Sequence, residues 1–300
     1  MQGTALASPL ICLKVNTGPI FKQAFVPGRV IDKTWGQGGV DMAGRWICAA
    51  VALVATQAWA QVPPFGDTAG TVFDILRRDD PSALQCLDPA GQAARQIWDK
   101  RVDGEPTVNA FIFVAHYADG TNIEIAVNPE FATPTAALAE ALRFARPLGQ
   151  LPTALRRGIA RFSIHGGDES FHAGTGQIVV YAGKADQRAS YDHLEESLFH
   201  EAVHASWDVE HRLSDAWQAA QQADGGFLTG YGAQHPDRED LAETALFAFA
   251  ILHHPDRFPP VDTADTVAAV PNRIAYIAAL LPPGQPLQFQ VAGAMGCLSG

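Results

Sequence analysis

The sequence predicts an α+β fold, with a small mixed sheet ahead of a mostly helical C-terminal half. Three observations carry this. Residues 108–117 and 121–127 are β-rich runs on either side of Ala118-Asp119-Gly120, the pattern of a hairpin closed at a D-G turn. Two further short β-rich runs, 159–164 and 177–181, follow a stretch of helical spacing at 135–146. Beyond Asp192 the apolar residues recur mainly at intervals of three and four, which is one face of a helix.

Each element has its own justification. Residues 61–106 are rich in Pro, Gly and Asp, with short helical patches around 71–78 and 91–99, and read as a lead-in to a domain spanning 107–300. The run 177–181 follows Gly174-Thr175-Gly176 and reads either as an exposed edge, able to pair with an extended peptide, or as an ordinary sheet strand. The segment 192–208 reads as a helix with Asp192 as N-cap and Glu195 as its capping-box partner. Leu194, Leu198, Ala202 and Ala205, with Val203 and Trp207, form its core face, and no Pro or Gly interrupts it.

That helix carries His200-Glu201-Ala202-Val203-His204. Residues four apart share a helix face, so the two imidazoles can hold one metal ion between them. Glu201 then projects to the open side of that ion, where it can take a proton from water. Read blandly, these are surface histidines of an amphipathic helix, but the cap and the periodicity supply the helix that the motif needs.

A catalytic zinc also needs a third protein ligand. Glu210, with His211 beside it, lies six residues beyond His204, but Trp207 stands where a sharp return of the chain wants glycine. Glu239 is the other candidate. Pro236 fits the first position of a helix and Asp237 its acidic first turn, with Leu241, Ala245, Leu246, Phe249 and Ala250 as a buried stripe. Glu239 and Glu243 are four apart on that helix, so one carboxylate can bind metal while the other accepts an imidazole N–H.

Phe227-Leu228-Thr229-Gly230-Tyr231-Gly232, followed by Glu239-Asp240-Leu241-Ala242-Glu243, resembles the catalytic domain of anthrax lethal factor and related secreted zinc peptidases. The resemblance covers roughly residues 175–255. It implies a gluzincin-like site in which His200, His204 and Glu239 bind one Zn2+ per chain, Glu201 is the general base and Tyr231 donates to the oxyanion. Glu243 matches a further glutamate of the pattern, beside the ligands. It also implies a zincin-like architecture, with the cleft between a sheet lobe and a helical lobe.

The N-terminal 60 residues read as processing signals. Residues 42–45 give a basic start, residues 46–60 an apolar run, and Ala58-Trp59-Ala60 a small-x-small cleavage site, together a secretory signal peptide cut after Ala60. Residues 1–41 then read as an upstream extension, with Met42 as the start. A buried helix with an N-terminal extension is the competing view. Cys86 and Cys297 remain beyond the cut, as one disulfide or as two thiols.

The formal net charge is −11, and it falls to −14 beyond residue 60, because the first 60 residues hold five of the 21 basic and two of the 32 acidic residues. That balance disfavours nucleic acid and anionic membranes as partners. The expectation is a secreted or periplasmic zinc endopeptidase acting on an extended peptide, without a membrane anchor in the mature chain. An inactive zinc-binding module and a zinc amidase acting on a non-peptide amide are the alternatives.

Overall fold

The computed structural model describes residues 62–282. The expected extension (1–41), the signal peptide (42–60) and Cys297 lie outside the described residues. Strand β1 (Leu84–Gln96) pairs antiparallel with β2 (Thr107–Tyr117), and β2 pairs antiparallel with β3 (Asn122–Val127). The β2–β3 hairpin closes at the expected turn: Gly120 has φ 78°, and Asp119 accepts from Thr121 N and Oγ1 at 3.1 and 2.6 Å. Long helix α1 (Pro134–Leu148), capped by Thr133 accepting from Ala136 N, and short α2 (Thr153–Arg156) then carry the chain to β4 (Arg161–His165), parallel to β3.

Strand β5 (His172–Gly174) turns back through Gly176, at φ 71°, into β6 (Gln177–Tyr181). The spatial order is β1-β2-β3-β4-β6-β5. Residues 177–181 therefore form an interior strand, not an edge. The edge on this side of the sheet is β5, which is three residues long with one Gly and one Ala, too short and too plain to register as a strand. A second correction concerns the segment before residue 107. Residues 91–96 belong to β1, where Gly91 at φ 79° accompanies a register shift between Pro89 and Gln92, and residues 71–78 form no helix. Pairing along β2 outweighs the local helical preference of an Ala-containing run.

Period-two alternation gives the sheet two buried faces. Phe111, Phe113, Ile123, Ile125, Phe162, Ile164, Ile178 and Val180 point into the main core with the helices, while Ala110, Ile112, Ala126, Val179 and Tyr181 form a smaller cluster on the opposite face. His165 lies on that second face, fully buried, with Nδ1 2.8 Å from Asn128 Nδ2 and Nε2 3.1 Å from the Trp98 carbonyl.

After α3 (Ala182–Ala189), the motif helix α4 (Leu194–Trp207) packs on the main face. Its N-cap is His193; Asp192 sits at φ 52° and makes no cap, so the capping box does not form. The helical half continues with α5 (Asp215–Asp224), α6 (Gly230–Gln234), α7 (Asp240–His253), α8 (Pro260–Ala269) and α9 (Pro271–Leu280). Helix α7 is buried from Asp240 to Ala250, and Phe249 meets Phe199 of α4 at 4.9 Å between ring centroids. The class is α+β, with a six-stranded mixed sheet. No helix among the described residues is long and apolar enough to cross a membrane.

Glu196 anchors α4 to the N-terminal segment. Its Oε1 accepts from Ile75 N and Leu76 N at 2.7 and 2.8 Å, while Oε2 is sealed from solvent with no hydrogen-bond partner. Burial pushes its carboxyl up to about 8, against an ordinary 4.5, despite the two N–H donors. The folded pKa lies above the unfolded one, so the neutral form stabilises the fold. That contribution is complete below pH 4.5 and is lost as pH rises toward 8. Glu196→Gln, which stays neutral, is expected to gain thermal stability over the wild type progressively between about pH 5 and 9, by up to roughly a few kcal/mol. A difference in Tm that stays constant across that range would show that Glu196 is not held neutral.

Candidate metal centre

One turn of α4 brings the two imidazoles together, with Nε2 atoms 3.2 Å apart. Glu239 arrives from the residue preceding α7, and its Oε2 lies 3.4 Å from His200 Nε2 and 3.2 Å from His204 Nε2. The expected helix start at Pro236 is not found: residues 236–239 form a turn, Glu239 is the N-cap, and α7 begins at Asp240. The four-residue relation survives, because Glu243 N still donates to the Glu239 carbonyl at 2.9 Å.

These three atoms outline a nearly equilateral triangle with sides of 3.2–3.4 Å. Ligand atoms about 2.0–2.1 Å from a tetrahedral zinc stand about 3.3 Å from one another, so the donor set fits that ion without rearrangement. Among the described residues, these three form one of two groups dense enough to hold a metal; the other is Cys86, Asp88 and His116. Cys86 is disulfide-bonded, so it offers no thiolate there. Its expected partner, Cys297, is outside the described residues.

The outer nitrogens explain why the rings face inward. His204 Nδ1 lies 3.0 Å from Asp208 Oδ2, a carboxylate that can only accept, so this nitrogen carries hydrogen and Nε2 is the one turned toward the triangle. His200 Nδ1 lies 3.1 Å from Thr68 Oγ1, and that hydroxyl donates to Glu243 Oε1 at 2.7 Å, which leaves it free to accept from the imidazole. Thr68 N donates to Glu243 Oε2 at 2.9 Å, completing the clamp. Glu239 Oε1 is held by Arg238 Nε at 2.8 Å and by the Tyr231 hydroxyl at 3.3 Å.

Pairing between imidazole and carboxylate governs the titration of these groups. Burial works against a charged His204, yet hydrogen bonds to Asp208 and Glu239 raise its pKa to about 10. Burial likewise works against ionised Glu239, but the two imidazoles hold its carboxyl far below the usual range. Glu201 sits beside the triangle and lines the cleft; burial pushes its carboxyl up, opposed by the adjacent imidazoles.

The cleft has a volume of about 550 Å³ and is lined by Phe171, His172 and Ala173 at the start of β5, by the motif residues, and by Tyr231. Gly176 N donates to the Ala205 carbonyl at 2.8 Å, tying the β5–β6 turn to the end of α4. Lys100 Nζ donates to the Ser170 and Phe171 carbonyls at 2.9 and 3.2 Å and so shapes the approach to β5. Glu210 and His211 are not at the centre: the Glu210 side chain is 80% exposed, and His211 Nδ1 lies 2.8 Å from the Tyr276 hydroxyl. Tyr231 lies on α6, a short helix capped by Thr229.

Sequence reasoning missed Thr68, Lys100 and Asp208. Asp208 was detectable, since it lies one helical turn after His204 on the same face. His193 is buried and has Nε2 2.9 Å from the Thr68 carbonyl. Compared with known proteins, the chain matches no family model, no curated protein and no solved structure.

Asp208→Ala removes the acceptor that orients His204. It is expected to weaken zinc binding about ten- to a hundredfold. Competition against a chromophoric chelator measures this, and an unchanged affinity would remove Asp208 from the centre.

Proposed function

We propose that the chain is a zinc-dependent endopeptidase. The observation that carries this reading is the triangle of His200 Nε2, His204 Nε2 and Glu239 Oε2 at zinc-ligand spacing, with the Glu201 carboxyl unpaired beside it. In this reading His200, His204 and Glu239 hold the ion. A zinc ion bound there would supply Lewis acidity toward the scissile carbonyl and a water activated near neutral pH.

The chain's own residues have distinct tasks. Glu201 takes a proton from the attacking water and delivers it to the leaving nitrogen. Tyr231 hydroxyl, only 3.3 Å from Glu239 Oε1, is a neutral donor that can turn to the developing oxyanion. Glu243 and Thr68 keep His200 aimed, and Asp208 does the same for His204. The substrate lies extended along β5, the terminal strand of the sheet, where main-chain hydrogen bonds give affinity without fixing side chains. Secretion through a leader ending at Ala60 belongs to the same proposal.

Elemental analysis and peptide cleavage together test it. The purified wild type is expected to hold one zinc per chain, and Glu239→Ala to hold it much more weakly. Glu201→Gln is expected to keep its zinc and lose cleavage. Tyr231→Phe should keep zinc and lower kcat by roughly a hundred- to a thousandfold. A folded wild type that takes up no zinc, or a Glu201→Gln variant that cleaves at the wild-type rate, would overturn the proposal.

A further inference from the structure

One wall of the cleft carries charge opposite in sign to the chain as a whole. Lys184 and Arg188 lie one turn apart on α3, and both line the cleft. Their hydrogen-bond partners are uncharged: Lys184 Nζ donates to Gln187 Oε1 at 2.7 Å, and an Arg188 NH1 donates to the Ala69 carbonyl at 3.0 Å. Of the other cations of the cleft, two face carboxylates and the third is bound by carbonyls on the β5 side. Arg212 lies 3.5 Å from Asp208 and Arg238 2.8 Å from Glu239, while Lys100 is wrapped by the Ser170 and Phe171 carbonyls.

The carboxylates near this wall form no ion pair with either cation among the described residues. Asp186, on α3 itself, pairs with Arg143 at 2.6 Å. Asp67 Oδ1 accepts from Gly70 N at 2.5 Å. Glu196 is spent on Ile75 N and Leu76 N, with its second oxygen sealed from solvent. In a chain with 32 acidic and 21 basic residues, two cations with no carboxylate partner among the described residues share one helix where substrate would pass.

We propose that Lys184 and Arg188 form a subsite for a carboxylate-bearing side chain, so that the substrate is an acidic peptide segment. The inference rests on the endopeptidase reading, which supplies the peptide and its path along β5. A side chain projecting from that path toward α3 meets the two cations within partly desolvated walls, where pairing is stronger than on an open surface. The Arg188 contact to Ala69 also holds the segment that carries Thr68, so Lys184 is the cleaner residue to vary.

Full-length Glu201→Gln protein would be titrated with two dye-labelled nonapeptides, identical except for four Asp or four Lys residues, and binding read by fluorescence anisotropy. The Asp peptide is expected to bind about tenfold more tightly at low salt, and its advantage should shrink as ionic strength rises. Adding Lys184→Glu should abolish or reverse that advantage, and Arg188→Glu should act in the same direction. Equal binding of the two peptides, or an unchanged preference after Lys184→Glu, overturns the proposal. Cleavage by the wild type keeps the two readings apart. An acidic preference without any cleavage leaves the subsite standing and removes the peptidase, whereas cleavage indifferent to charge does the reverse.

Discussion

Three electron-pair donors converge on one point with sides of 3.2–3.4 Å, and most of the helical half serves to hold them there. Two come from a single helix and are spaced by its own geometry. The third comes from the chain 35 residues beyond His204, so the centre exists only if α4 and α7 are locked together. Phe199 against Phe249 and the buried length of α7 provide that lock. The start of α7 is fixed a second time by Arg273 of α9, fully buried, whose NH1 donates to Asp240 Oδ1 at 2.5 Å and whose Nε donates to Asp224 Oδ2 at 3.0 Å. Burying such charges costs solvation that is offset only with good geometry, and here the guanidinium also reaches the Gly226 carbonyl. The residue next to Glu239 is thereby pinned from the side away from the cleft.

The N-terminal segment adds a constraint that neither helix could supply. Phe65 forms a parallel bridge with Thr229, and the Phe65 and Gly66 carbonyls accept from Gly230 N and Tyr231 N at 2.8 and 2.9 Å. Two residues later Thr68 reaches His200 and Glu243. One short stretch of chain therefore sets both the aim of an imidazole and the place of the Tyr231 hydroxyl. A shift of this segment moves both groups together, which a loop carrying Tyr231 alone would not require.

What could be read from the sequence followed from locality. The β2–β3 hairpin, the helices at α1 and α4 and the sharing of a face by His200 and His204 all depend on residues within about one turn or one hairpin of each other, and the structure has them. Misreadings arose where distant pairing overrode a local signal. Residues 91–96 look helical but are drawn into β1 by β2, and Pro236 looks like a helix start but lies in the turn that brings Glu239 to the histidines. Thr68 could not be found at all, since nothing local links it to a histidine 132 residues away. The edge strand was missed for a different reason: β5 is held by its neighbour β6 and by the Gly176–Ala205 contact, not by side chains of its own that favour strands.

Glu201 is what favours the proposed peptidase over an inert metal-binding module. The other glutamates of the cleft have structural tasks: Glu196 holds two backbone N–H groups, Glu239 closes the triangle, and Glu243 clamps Thr68. The Glu201 carboxyl has no hydrogen bond or ion pair among the described residues, yet burial makes its charge costly. A scaffold that needed only to hold an ion would gain by replacing it with glutamine or alanine, because the triangle does not depend on it. A costly carboxyl with no structural return, one residue from a donor and open to the cleft, is the arrangement expected of a group that accepts and releases protons there.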